Sequence, residues 1–79
     1  MTAKELRAKR RAAGITADDV RKITRHSSGR FSEIERGVVE AKPEELQRIG
    51  DAVGQIISNR AQVARIAAES GLSLVGVRV

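Results

Sequence analysis

The sequence predicts a single all-α domain that spans residues 1–79 and contains five short helices. Apolar residues recur three or four positions apart between the glycines, which is the spacing of one buried helix face. Residues that favour a helix start, such as Thr2, Thr16 and Pro43, precede these segments, and glycines follow them. The segment 72–79 is rich in valine, which is compatible with a short C-terminal β-strand.

Local start and stop signals give the expected bounds of each helix. Thr2 and Glu5 have the spacing of a capping box, in which each side chain accepts a hydrogen bond from the other residue's backbone N–H. The expected helices run from Thr2 to about Ala13, from Thr16 to the polar break at 24–26, over residues 27–36 with Ser27 or Ser28 as cap, from Pro43 to Gly54, and from Asn59 to Gly71. The expected core consists of Leu6, Val20, Ile23, Phe31, Ile34, Leu46 and Ile49.

The distribution of charge indicates a polyanionic partner. All of the formal net charge of +5 lies in residues 1–36, because the rest of the chain holds equal numbers of acidic and basic residues. Phe31 is the only aromatic residue, whereas proteins that bind single strands usually stack the bases on exposed aromatic side chains. The sequence therefore favours double-stranded DNA, held through its phosphates.

Other functional classes are disfavoured by what the sequence lacks. It contains no cysteine, its one histidine is His26, and no catalytic set or Gly-rich phosphate loop is present. We therefore expect no enzyme activity, no metal, no cofactor and no small-molecule effector. No apolar run is long enough to span a membrane, so the expected compartment is the cytoplasm. The bias toward Ala, Arg and Val is typical of a high-GC bacterium or its phage.

The segment 16–37, TADDVRKITRHSSGRFSEIERG, resembles the helix-turn-helix of the Cro/phage-repressor (XRE) family. It shares a capping Thr16, an acidic pair, apolar positions at Val20, Phe31 and Ile34, and a closing Glu-Arg-Gly. The resemblance extends over about residues 3–54. The chain departs from the family where small or apolar residues and a turn glycine are usual; these positions hold Arg21, Thr24, Arg25 and His26.

The resemblance implies a sequence-specific transcriptional regulator, of the repressor type, that inserts helix 27–36 in the major groove. The positions it assigns to base contacts are Ser28, Gly29 and Glu33, with the adjacent Arg30. Arg30 is favoured because a guanidinium can bind guanine O6 and N7 together; the alternative is that it only pairs with Glu33. The positions expected to contact phosphates are Arg25, Ser27, Arg36, Lys42 and Arg21. The family's usual pairing of a first-helix arginine with a third-helix glutamate corresponds to Arg10 and Glu35.

Such regulators bind palindromic operators as homodimers. Residues 58–79 contain two candidate dimer surfaces. One is the Val63/Ile66 face of the expected fifth helix, and the other is the tail 72–79, which the sequence slightly favours because an unpaired strand can pair with its copy. Two alternatives stay open. The first alternative to a DNA-binding regulator is an antitoxin-like or regulatory protein-interaction module with the same fold, and the second is that the chain is the first part of a longer repressor.

Overall fold

A computed structural model of the protein describes residues 2–69, and the regular secondary structure within them is α-helix alone. The all-α fold class is therefore confirmed. The helices are α1 (Ala3–Ala12), α2 (Ala17–Thr24), α3 (Ser28–Arg36) and α4 (Pro43–Glu69). The C-terminal strand predicted for residues 72–79 and one of the two candidate dimer surfaces lie outside the described residues.

The first two helices both begin with a reciprocal cap, which the sequence predicted for Thr2 and Glu5; for Thr16 it predicted the cap residue alone. Thr2 Oγ1 accepts the Glu5 N–H at 3.2 Å, and the Glu5 carboxylate accepts the Thr2 N–H at 3.2 Å. Thr16 and Asp19 repeat this arrangement at the start of α2, with distances of 3.1 and 3.3 Å. The backbone hydrogen bond from Thr2 lowers the pKa of Glu5, so its charge is retained beside the positive end of the helix dipole.

The buried face of α2 differs from the expected one. Ile23 was predicted to be buried, but 43% of its surface is exposed, so that prediction was wrong. The buried face instead follows Val20 and Thr24, four positions apart, with Ile15 of the preceding turn beside them. Thr24 is tolerated in the interior because its hydroxyl lies 2.9 Å from His26 Nδ1, which satisfies its hydrogen-bonding capacity.

The third helix has the predicted cap and the predicted buried side chains. Ser27, one of the two serines considered, is the N-cap, and its Oγ accepts the Arg30 N–H at 3.1 Å. Phe31 and Ile34 are both 1% exposed. The helix ends at Gly37, whose φ of 75° lies in the left-handed region that glycine adopts without strain.

The fourth helix corrects the prediction of five helices. It runs without a break over 27 residues from Pro43 to Glu69, so Gly54 does not end a helix and Asn59 does not begin one. A glycine within a helix costs only about 1 kcal/mol relative to alanine. That cost is offset here because Ile56 and Ile57, which follow Gly54 on the same helix, also pack against the core.

The core lies between the helices, where α4 packs against α1 and α2 and α3 packs against the same two helices. Its buried apolar residues are Leu6, Ile15, Val20, Phe31, Ile34, Ile49, Ala52 and Val53, with Leu46 partly buried against them. Beyond residue 57 most of α4 is exposed, so this end of the helix extends away from the core. The Arg60 guanidinium still ties this extension to the core through a 3.0 Å hydrogen bond to the Ala13 carbonyl.

Candidate nucleic-acid interface

A three-residue turn between α2 and α3 places the first turn of α3 on the surface. Arg25 adopts a left-handed conformation with φ 65° and ψ 24°, and Ser27 then caps α3. Ser27, Ser28 and Gly29 are all exposed. The first turn of a helix carries backbone N–H groups that the helix itself does not use, together with the positive end of its dipole. An exposed first turn can therefore bind an anion such as a phosphate.

Gly29 leaves the surface of this turn open. A Cβ atom built at Gly29 would meet no atom of the protein within 4 Å. The backbone at Gly29 is therefore accessible to a large partner, and nothing in the packing of the described residues requires a glycine there.

Three of the predicted phosphate-binding cations are exposed near the ends of these segments. Arg25 lies in the turn before α3, Arg36 in the last turn of α3, and Lys42 immediately before α4. Arg21 differs from them, because its guanidinium forms an ion pair with Asp18 one turn earlier on α2. Its charge is therefore partly neutralised within the same helix.

Arg30 is held by a residue of α4. Its Nε donates to Glu45 Oε2 at 3.1 Å, and its Nη2 donates to Glu45 Oε1 at 2.7 Å. The alternative considered from the sequence was Glu33 on the same helix, yet the pair crosses between helices instead. The Arg30 side chain remains 37% exposed, whereas that of Glu45 is only 16% exposed.

Glu45 is itself fixed by two further contacts. It accepts the Lys42 backbone N–H at 3.0 Å, and its Oε2 lies 3.3 Å from His26 Nε2. The His26 ring is also in tilted contact with Phe31, with ring centroids 6.4 Å apart. The hydrogen bonds from Arg30, followed by that from Lys42, lower the pKa of Glu45 to about 2. The carboxylate is therefore ionised at neutral pH.

A second ion pair fixes α3 against α1, and it is the pairing expected from the sequence. Arg10 Nε and Nη2 donate to the two carboxylate oxygens of Glu35 at 2.8 and 2.9 Å. The third nitrogen of Arg10, Nη1, donates to the Ile15 carbonyl at 2.8 Å. This guanidinium therefore joins α1, the turn before α2, and α3.

Two residues of this network were not identified as part of the site from the sequence. Glu45 was assigned to the first turn of a helix, where an acidic residue is expected for the helix dipole alone, and His26 was assigned to the turn. Spacing rules describe neighbours three or four positions apart, whereas Arg30 and Glu45 are 15 positions apart. No pattern in the sequence could have found this pair.

Residues 2–69 contain neither a cluster of metal-binding side chains nor a membrane-spanning helix. No group of three or more His, Cys, Asp or Glu side chains in residues 2–69 is arranged to hold a metal ion. No helix in this part of the chain is long and apolar enough to cross a membrane. Comparisons with protein-family models, curated proteins and solved structures found no match.

Proposed function

We propose that this protein is a sequence-specific regulator, of the repressor type, that binds double-stranded DNA. In this proposal α2, the turn 25–27 and α3 form a helix-turn-helix, with α3 in the major groove and α2 across the DNA backbone. The observation that carries the proposal is the open first turn of α3 at Ser28 and Gly29, together with the exposed cations Arg25 before this turn and Arg36 and Lys42 after it in the chain.

The proposed base contacts come from one end of α3. Ser28 is exposed, and its hydroxyl can donate to or accept from a base edge. Gly29 allows the backbone to approach the bases. Arg30 can bind guanine through its planar fork, and Glu33, which is half-buried, can accept from the amino group of cytosine.

The proposed phosphate contacts lie before α3, in its last turn and just before α4. Arg25, Arg36 and Lys42 supply charge, while Ser27 supplies exposed polar groups at the helix cap. Such contacts fix the position of the protein on the duplex and contribute most of the salt-dependent affinity. Arg21 is expected to contribute less than these, because Asp18 competes with phosphate for its guanidinium.

We further propose that the protein binds a palindromic operator as a homodimer through the exposed end of α4. Val63 and Ile66 lie three positions apart on this extension and are 61% and 55% exposed. A second copy of the same helix would cover both apolar residues by a two-fold packing of identical faces. Two-fold symmetry would also present two copies of α3 to successive major grooves.

The experiment is selection of binding sites from a random duplex library, followed by binding measurements with two leucine variants. Gly29→Leu is expected to abolish binding to the selected site, because the added side chain fills the open face against which the DNA would lie. Gly54→Leu is the matched control, since Gly54 also has open space around it but lies within α4, outside the proposed interface. Circular dichroism and urea unfolding verify that both variants fold.

The outcomes separate the proposal from its alternative. An enriched palindromic site, lost in Gly29→Leu and retained in Gly54→Leu, is the expected result. If no site is enriched, the DNA-binding proposal fails. If a site is enriched but both variants bind it equally well, the placement of Gly29 and α3 against the DNA fails. A tight protein complex that is indifferent to duplex DNA would then favour the interaction-module interpretation.

A further inference from the structure

The contact between Arg30 and Glu45 occupies only one edge of the guanidinium group. Glu45 accepts from Nε and Nη2, which form the side edge of the planar fork. An arginine side chain has five N–H donors, so the end edge formed by Nη1 and the second hydrogen of Nη2 is not used in this pair. That end edge can make two parallel hydrogen bonds by itself.

We infer that Glu45 is a positioning residue, which holds the Arg30 side chain so that its end edge binds O6 and N7 of a guanine. The inference rests on the proposed function and adds a residue of α4 to the machinery of base recognition. Guanine presents two acceptors in the major groove that match the spacing of a guanidinium fork. Glu45 binds the adjacent side edge of the guanidinium and does not itself touch the base.

The surroundings of Glu45 indicate that it positions the Arg30 side chain for DNA and does not withhold it from DNA. The carboxylate is tied to the Lys42 backbone and contacts His26, whose side chain is 8% exposed, so it is an immobile anchor. The arginine that it holds is 37% exposed, so its remaining donors are accessible. A long side chain held before binding loses less conformational entropy when the complex forms.

Positioning and sequestration have opposite consequences for binding. If Glu45 positions Arg30, removing the carboxylate leaves the arginine free to rotate, and the preference for guanine decreases. If Glu45 only competes with DNA for the guanidinium, removing it releases a cation next to the phosphates and binding becomes tighter. The base preference is the informative readout, because a general loss of folded protein lowers the affinity for every sequence alike.

The test uses the full chain, the selected duplex, and four versions of that duplex with each base pair at the position that depends on Arg30. Glu45→Gln is compared with Glu44→Gln. Both variants remove one negative charge from the first turn of α4, but Glu44 is exposed and only Glu45 contacts Arg30. The two variants therefore have the same net charge and differ only in whether the contact with Arg30 is lost.

We expect Glu45→Gln to reduce discrimination for guanine about tenfold, the range of one good bidentate base contact, and Glu44→Gln to leave it unchanged. Glu45→Asp, which keeps the carboxylate, should preserve more discrimination than Glu45→Gln. In an Arg30→Ala background, Glu45→Gln should have no further effect on base preference. This double-mutant cycle isolates the coupling between the two side chains.

The contradicting results are distinct from failure of the proposed function. If the wild-type protein selects a site but Glu45→Gln keeps its guanine preference, or binds more tightly, the positioning role is wrong while DNA recognition stands. The same conclusion follows if no base pair of the selected site depends on Arg30. If the wild-type protein selects no site at all, both the proposed function and this inference fail.

Discussion

Arg10 and Glu35 are joined by two parallel hydrogen bonds of 2.8 and 2.9 Å, and both side chains are almost completely buried, at 10% and 11% exposure. The pair sets the position of α3 relative to α1, and Arg10 extends it to the Ile15 carbonyl. Because α3 carries the proposed interface, its presentation to DNA depends on this contact.

Removing one partner of this pair should be strongly destabilising. Glu35→Gln leaves the buried Arg10 without a counter-charge, so the free energy of unfolding should fall by about 3 kcal/mol. Replacing both residues, as in Arg10→Met with Glu35→Leu, should cost less because no charge is left buried. Urea unfolding followed by circular dichroism measures both values.

The exposed pair Arg21–Asp18 provides the control for this experiment. Asp18→Asn removes an ion pair whose aspartate side chain is 71% exposed, and the loss should stay below about 1 kcal/mol. Equal losses from Asp18→Asn and Glu35→Gln would contradict the structural role given to Arg10 and Glu35.

Arg25→Gly should stabilise the protein while weakening its binding to DNA. Arg25 holds a left-handed backbone conformation at φ 65°, which strains a residue with a Cβ atom, so glycine should raise the free energy of unfolding by about 1 kcal/mol. Gly37→Ala provides the opposite case at φ 75° and should be destabilising by a similar amount. Thermal unfolding checks stability, and salt titration of the DNA complex checks the loss of one phosphate contact. If Arg25→Gly is less stable than the wild type, the left-handed conformation at Arg25 is wrong.

The Glu45 carboxylate should make stability depend on acid pH. Its pKa in the folded protein is about 2, below the ordinary value of 4.5, because Arg30, the Lys42 N–H and His26 face it. A lowered pKa stabilises the folded state above pH 4.5, and this contribution is lost as the pH falls from 4.5 toward 2. The difference in free energy of unfolding between wild type and Glu45→Gln should therefore shrink over this interval. A difference that stays constant from pH 6 to pH 2.5 would show that the carboxylate is not held as described.

Lysine substitutions on the exposed end of α4 should separate the proposed dimer. Val63→Lys with Ile66→Lys places like charges within the apolar face, so sedimentation equilibrium should give a monomer where the wild type gives a dimer. Ala61→Lys with Ala68→Lys adds the same two charges on the opposite side of this exposed stretch, so this control should remain dimeric. A double variant that stays dimeric would exclude this face and direct attention to the tail 72–79.

Local features of the fold were predictable because they depend on neighbouring residues alone. The capping box at Thr2, the cap residue Thr16 and the helix start at Pro43 all follow from signals within a few positions, and each is present. Ile23 was assigned to the wrong face because a spacing of three fits a helix stripe as well as a spacing of four does. Burial of Thr24 instead depends on its hydrogen bond to His26, which apolar patterning does not reveal.

Features that depend on tertiary contacts were not predictable. Gly54 is a reasonable helix terminator by composition, but packing of Ile56 and Ile57 against the core outweighs the local preference and α4 continues. The Arg10–Glu35 pair was expected only through a family resemblance, whereas Arg30–Glu45 had no such guide. The position of Arg30 follows from where α4 begins relative to α3, and the three-dimensional packing alone determines that.

The most direct test of the central claim is the ratio of affinities for the selected duplex and a scrambled duplex of equal length, measured at physiological salt. The account predicts a ratio of at least about 10³, the lower end for specific DNA-binding proteins. It also predicts that Arg30→Ala lowers this ratio by removing the preference at one base pair. Arg36→Gln should instead lower the affinity for both duplexes by the same factor. A ratio close to one, with weak binding that disappears as salt is added, would contradict sequence-specific recognition by this protein.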